Sequence, residues 1–211
     1  MMIEPAQVKV WDLPLRIFHW SLAFLFFLSY LTGDDSLIHV YSGYAIIGLI
    51  IFRLLWGVIG TRYARFNHFL YGRATTREYA FSLLRGKPKH YIGHNPLGGW
   101  MIVILLSSLS LTCWSGLEAY GDKGQGPLAQ NSQETQNQAA PSFSLMTPAF
   151  ADEDKDERDD DKDEFWEEIH EFFANFTLFL VFIHVAGVLV SSLVHRENLV
   201  RAMITGYKKQ K

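Results

Sequence analysis

Four runs of apolar residues divide this chain: Leu13–Leu31, Ile38–Ile59, Leu97–Leu117 and Ile169–Val194. Each has about the 20 residues that a helix needs to cross the hydrocarbon core of a bilayer. The first, LPLRIFHWSLAFLFFLSYL, opens with Pro14, which a first helical turn tolerates because its missing N–H would have no partner there. It stops at Thr32-Gly33-Asp34-Asp35, a turn-rich break. The second run follows after a few residues, so the first two helices are expected to be antiparallel neighbours. It carries Gly43, Gly48 and Gly57, which in a membrane helix permit close approach of a neighbour or a flat ligand. The third has no charged residue and no histidine, and reads as a packing helix.

The polar segments set the orientation. Between the second and third runs, residues 61–96 place Arg62, Arg65, Arg73, Arg77, Arg85, Lys87 and Lys89 against Glu78. Within them, TTREYAFSLLRG predicts a short amphipathic surface helix. The tail HRENLVRAMITGYKKQK is also basic. The positive-inside rule puts both on the cytoplasmic side. The remaining connection, residues 119–165, is Gly/Gln/Asn/Ser/Pro-rich and then acidic (DEDKDERDDDKDEF), and is expected to be flexible and extracytoplasmic. The predicted fold is all-α: an integral membrane four-helix bundle with a cytoplasmic basic loop and a long acidic extracytoplasmic loop. Its parts are residues 1–118, 119–165 and 166–211. The expected topology is multi-pass, with both termini cytoplasmic.

Composition refines this picture. The chain is 49% apolar and 15% aromatic, yet its mean hydropathy is only +0.05, because the average mixes the apolar runs with the acidic connection. A net charge of −3 gives no sign of a nucleic-acid partner. The single cysteine, Cys113, excludes a disulfide, zinc or iron–sulfur framework within one chain. There is no C-x-x-C-H, so any haem is held non-covalently. The start reads as a retained arm, not a removable signal, and Ala149-Phe150-Ala151 as a chance likeness to a cleavage site.

The chemistry lies in histidines inside the apolar runs. His170 and His184 are fourteen residues apart; on a helix they return to faces roughly 40° apart, about 21 Å along the axis. That spacing suits two porphyrins hung from one helix, one near each membrane face. His19, in the cytoplasmic half of the first helix, matches His184 in depth, and His39, opening the second, matches His170. A lone intramembrane histidine is often simply hydrogen-bonded to a neighbouring helix; two pairs at two depths point to bis-histidine ligation of two non-covalent b haems. Such ligation leaves no open iron position, so single-electron relay is expected, not oxygen binding.

Four further residues support the site. Gly43 follows His39 by four and Gly187 follows His184 by three, leaving room for a porphyrin edge, although ordinary helix packing would use them too. Arg16 shares the face of His19. Arg53, fourteen after His39, needs an anion, for which a haem propionate is suited; snorkelling to the interface is the plainer account. His68, His90 and His94, in the basic loop, read as solvated or partner-facing, and His195 as an interface residue.

RIFHW, HVYSGY…RLLWGVIGTRYARF, GHNPLGG and FIHVAGVLVSSLVHRENLVRAM resemble the bacterial cytochrome b561 family, which includes the b-type cytochrome subunits of membrane-bound nickel–iron hydrogenases. The resemblance covers the four helices and the basic loop. It implies a place in the bacterial inner membrane and b haems on histidine pairs, with His19, His39, His170 and His184 as ligands. It also implies electron transfer between membrane quinone and an extracytoplasmic c-type cytochrome or oxidoreductase/hydrogenase subunit; catalysis beyond that transfer is left open. Two rival readings remain: a small membrane transporter or ion permease, and a cofactor-free anchor subunit.

Overall fold

The computed structural model describes residues 7–33, 36–86, 89–129 and 153–209, with the side chains of 153–164 and 209 left aside. Among these, β1 (Gln7–Lys9) precedes α1 (Leu13–Thr32), α2 (Leu37–Ile59), α3 (Phe66–Phe69) and α4 (Arg73–Leu84). Then come α5 (Pro96–Asp122), α6 (Glu153–His195), α7 (Leu199–Thr205) and β2 (Tyr207–Lys209). Four spans, Leu13–Thr32, Leu37–Ile59, Pro96–Asp122 and Phe165–His195, are long and apolar enough to cross a membrane. They match the four apolar runs, and the predicted surface helix appears as α4.

Helix ends follow local chemistry. Asp12 caps α1, its carboxylate accepting from the Leu15 N–H at 2.8 Å, with Pro14 inside the first turn. Ser36 caps α2 in the same manner. The fourth span differs from expectation: α6 begins at Glu153, not Ile169, so the acidic run is helical over residues 153–165. Half of residues 153–164 are aspartate, a poor helix former, but acidic residues in a first turn are favoured by the helix dipole, and the helix runs on into the apolar span. The predicted connection 119–165 is also shortened at its other end, where α5 continues to Asp122. The expected flexibility of residues 130–152 lies outside the described residues.

The chain divides into two compact units, Met1–Ser107 with Leu178–Lys211, and Ser108–Thr177. In the first, the buried cluster is Val10, Trp11, Leu15, Phe18, Ala64 and Ala202. It gathers where β1, the start of α1, the segment after α2, and α7 converge. By contrast Phe24, Leu31, Val58 and Leu193 are exposed, as side chains facing hydrocarbon would be. β1 and β2 pair antiparallel, Gln7 opposite Lys209 and Lys9 opposite Tyr207. Gly206, in the left-handed conformation at φ 89°, ends α7 and turns its carbonyl to the Val10 and Trp11 N–H groups at 2.9 and 3.1 Å. A side chain there would strike the Trp11 carbonyl.

The second unit holds a polar seam. Thr177, almost fully buried, meets the Ser108 hydroxyl at 2.7 Å and the Thr112 hydroxyl at 3.1 Å, joining α5 to α6. Lys123 and Glu167 form an ion pair at 2.6 Å.

Candidate functional site

His19 on α1 and His184 on α6 come together, with ring centroids 6.4 Å apart. Two imidazoles gripping one metal from opposite sides, with bonds of about 2 Å and ring centres roughly 1 Å beyond each nitrogen, stand about 6 Å apart. The separation of the two rings suits a metal ion shared between them. The Nδ1 of His19 is buried without a hydrogen-bond partner.

His39 and His170 are placed differently. The Nδ1 of His39 lies 3.0 Å from the Ser29 carbonyl and 3.2 Å from its hydroxyl, on α1. The Nδ1 of His170 lies 2.9 Å from the Thr112 carbonyl and 3.5 Å from the Ser115 hydroxyl, on α5. A carbonyl only accepts, so in each ring Nδ1 carries the proton and Nε2 keeps the lone pair that binds metals. Carbonyls behind metal-binding histidines fix ring orientation and raise ligand basicity in this way. Gly116 makes the His170 arrangement possible: a Cβ there would stand 2.8 Å from the ring Cε1 and 2.9 Å from Nδ1. Sequence reasoning passed over Gly116; the small residue one turn from Thr112 was the available signal.

Beside the other two glycines there is open space, since a Cβ on Gly43 or Gly187 would meet nothing within 4 Å. Gly57 instead lets the Phe66 ring lie against α2. Arg53, 2% exposed, rests on that ring at 4.6 Å and on Phe69 at 5.7 Å. Its Nη1 has no hydrogen-bond partner. Asp12, its acidic neighbour, is engaged elsewhere, accepting from Leu15 N–H, Trp56 Nε1–H and the Thr61 hydroxyl. Arg16 donates from Nη2 to the Ile204 carbonyl, while its Nε is buried and unpartnered. Arg53 is thus not snorkelling, and both arginines present unmatched donors that suit the carboxylates of a haem.

The loop histidines divide: His68 lies as expected, and His90 and His94 do not. His68 accepts from Arg62 Nε at 2.6 Å on the surface, as anticipated for a solvated residue. His90 meets Glu197 at 2.6 Å, and the same carboxylate's second oxygen is 3.7 Å from Lys208. His195 is 3.4 Å from the Tyr79 hydroxyl. His94 is enclosed, its ring 4.4 Å from Trp11 and 4.8 Å from Phe69. Its burial depends on side chains more than twenty residues away, which no local pattern reveals.

The sequence profile of the prokaryotic cytochrome b561 family matches residues 10–206. The chain belongs to that family. Two relatives are each described as a "Probable Ni/Fe-hydrogenase B-type cytochrome subunit". The one from Cupriavidus necator is 24% identical over 230 residues, covering 94% of this chain and 86% of that protein. The one from Azotobacter chroococcum is 25% identical over 237 residues, covering 97% and 90%. No solved structure matches this chain. Membership selects among the readings the sequence left open: this is a multi-pass prokaryotic membrane cytochrome of the b type, serving electron transfer.

Proposed function

We propose that this family member holds two b haems and carries electrons across the membrane between quinone and an extracytoplasmic redox partner. His19 and His184 hold one haem, and His39 and His170 the other. The observation that carries the reading is the 6.4 Å separation of the His19 and His184 rings. Each haem supplies a one-electron iron couple to the path when bound. The residues do the rest. Ser29 and Thr112 carbonyls orient His39 and His170 for ligation through Nε2. Gly43 and Gly187 clear space beside their histidines, and Arg16 and Arg53 offer donors to propionates.

The basic charge of the loop and tail supports a reading with both termini in the cytoplasm and the acidic connection on the other side. The relatives' description as hydrogenase subunits favours a hydrogenase as the extracytoplasmic partner over a c-type cytochrome. A pyridine haemochromogen assay on the purified protein tests the reading: about two b haems per chain are expected, and one or none would refute it. His184→Ala should then lose the haem it shares and keep the other.

A further inference from the structure

We propose that His94 is a third anion-binding residue beside Arg53 and Arg16, and that it donates a hydrogen bond to a propionate of the haem held by His19 and His184. This rests on the assignment of that pair as haem ligands.

His94 and Arg53 meet across one side chain. The Phe69 ring lies 4.8 Å from the His94 ring and 5.7 Å from the Arg53 guanidinium carbon. Trp11, on the chain next to the start of α1, closes over His94 at 4.4 Å. Three nitrogens in this neighbourhood are buried without hydrogen-bond partners: His94 Nδ1, Arg53 Nη1 and Arg16 Nε. Buried donors are nearly always matched; the two guanidinium nitrogens are unmatched donors, and the His94 tautomer that carries its proton on Nδ1 adds a third, which together suit an acceptor group. The acidic group that would otherwise serve, Asp12, is committed to Leu15, Trp56 and Thr61. Glu197 is committed to His90 and Lys208.

The electrostatics agree. Burial first, then the charges of Arg53, Lys208, His184 and His19, push His94 down to about 3. The ring is therefore neutral and offers one N–H in a field that favours a negative guest. Its position is rigid. Asn95 accepts from Gly98 N–H at 2.7 Å and starts α5 directly behind it. Gly99 lets the Phe69 carbonyl approach, and Trp100 donates to the Tyr71 carbonyl at 3.2 Å. A carboxylate fits this set of donors better than a neutral ligand. On a membrane protein the two sources are a haem propionate and an anionic lipid headgroup.

The test loads the haem-free full-length chain with haem or with haem dimethyl ester, whose carboxylates are blocked. The unmodified chain should prefer haem by at least tenfold at the His19–His184 site. His94→Leu should shrink that preference by about tenfold, and His94→Gln, which keeps an N–H donor, should largely retain it. An equal preference in the unmodified chain and His94→Leu overturns the proposal. So does a His94→Leu defect abolished by anionic lipid, which would assign the site to a headgroup. Should His94→Leu fail to insert, the resonance Raman propionate band decides: His94→Gln must shift it, and an unmoved band refutes the contact. The parent reading fails separately, since then His184→Ala would lose no haem at all.

Discussion

His170 and the His19–His184 pair show two ways of holding a ring still. Behind His170 stands a backbone carbonyl, that of Thr112, with Gly116 cut back to let the imidazole reach it. Nothing of that kind supports His19, whose Nδ1 is buried and unpartnered. The two rings of that pair stand 6.4 Å apart, and unmatched buried nitrogens of Arg16, Arg53 and His94 lie in the same unit of the fold. A carbonyl fixes one tautomer whether or not a cofactor is bound; a cluster of unmatched donors is completed only by the guest. On the proposed function, His170 and His39 are therefore oriented by the fold itself, and the His19–His184 end would be completed by its haem.

The largest effect that would sharpen this contrast is outright loss. His19→Ala and His184→Ala should each lower haem content from about two to about one per chain, with the same haem missing in both spectra. If the two variants lost different haems, the pairing would be broken.

Next is Gly116→Ala. Its methyl group drives the His170 ring from the Thr112 carbonyl, and haem retention on that histidine should weaken by about 10- to 100-fold. The haem on His19 and His184 should be unaffected, and spectroscopic titration of each site would show this.

The donor-rich end should also respond to acid once haem is removed. An unfolded histidine titrates near 6.5, whereas His94 stays neutral down to about 3. Between these values the unfolded chain takes up the proton first. The stabilisation is complete above about pH 6.5 and drains away as pH falls toward 3, at most about 1.4 kcal/mol per pH unit. Thermal melts of the haem-free chain in detergent should show this slope, and His94→Phe should flatten it.

Arg53→Ala removes a buried positive charge and favours the oxidised haem. The midpoint potential of one haem should fall by about 60 mV, a tenfold change for a one-electron couple, while iron content stays constant. Potentiometric titration separates the two haems. Smallest of all, Thr177→Val breaks the seam with Ser108 and Thr112, and should cost about 1 kcal/mol of stability without moving either potential. A larger loss would mean that the seam also positions His170.

Much of this was legible because membrane spans announce themselves by length alone. The four apolar runs end within about five residues of the four spans long and apolar enough to cross a membrane, and the fourteen-residue spacing of His170 and His184 needs only a helix to be read. Two kinds of feature escaped. Asp12-Leu13-Pro14 is a recognisable helix cap, yet nothing local says that the same carboxylate will also hold Trp56 and Thr61. His94 sits in a segment rich in arginine and lysine, where solvation is the sound expectation; Trp11 and Phe69 reverse it only after the chain has folded. The strands β1 and β2 are three residues each, too short for alternation to register. At the acidic run, the dipole at the helix start and continuity with the apolar span prevailed over the charge density that argued for a flexible segment.

The pairing of Gln7–Lys9 with Tyr207–Lys209 joins segments about two hundred residues apart. An arm that emerges early in synthesis has no partner until every membrane crossing has been threaded and Gly206 has made its turn. Arg16, tethered to the Ile204 carbonyl, waits on the same event. That end of the molecule is thus the last that the ribosome and insertion machinery complete; on the proposed function, the haem assigned to His19 and His184 would be seated after translocation and not during it.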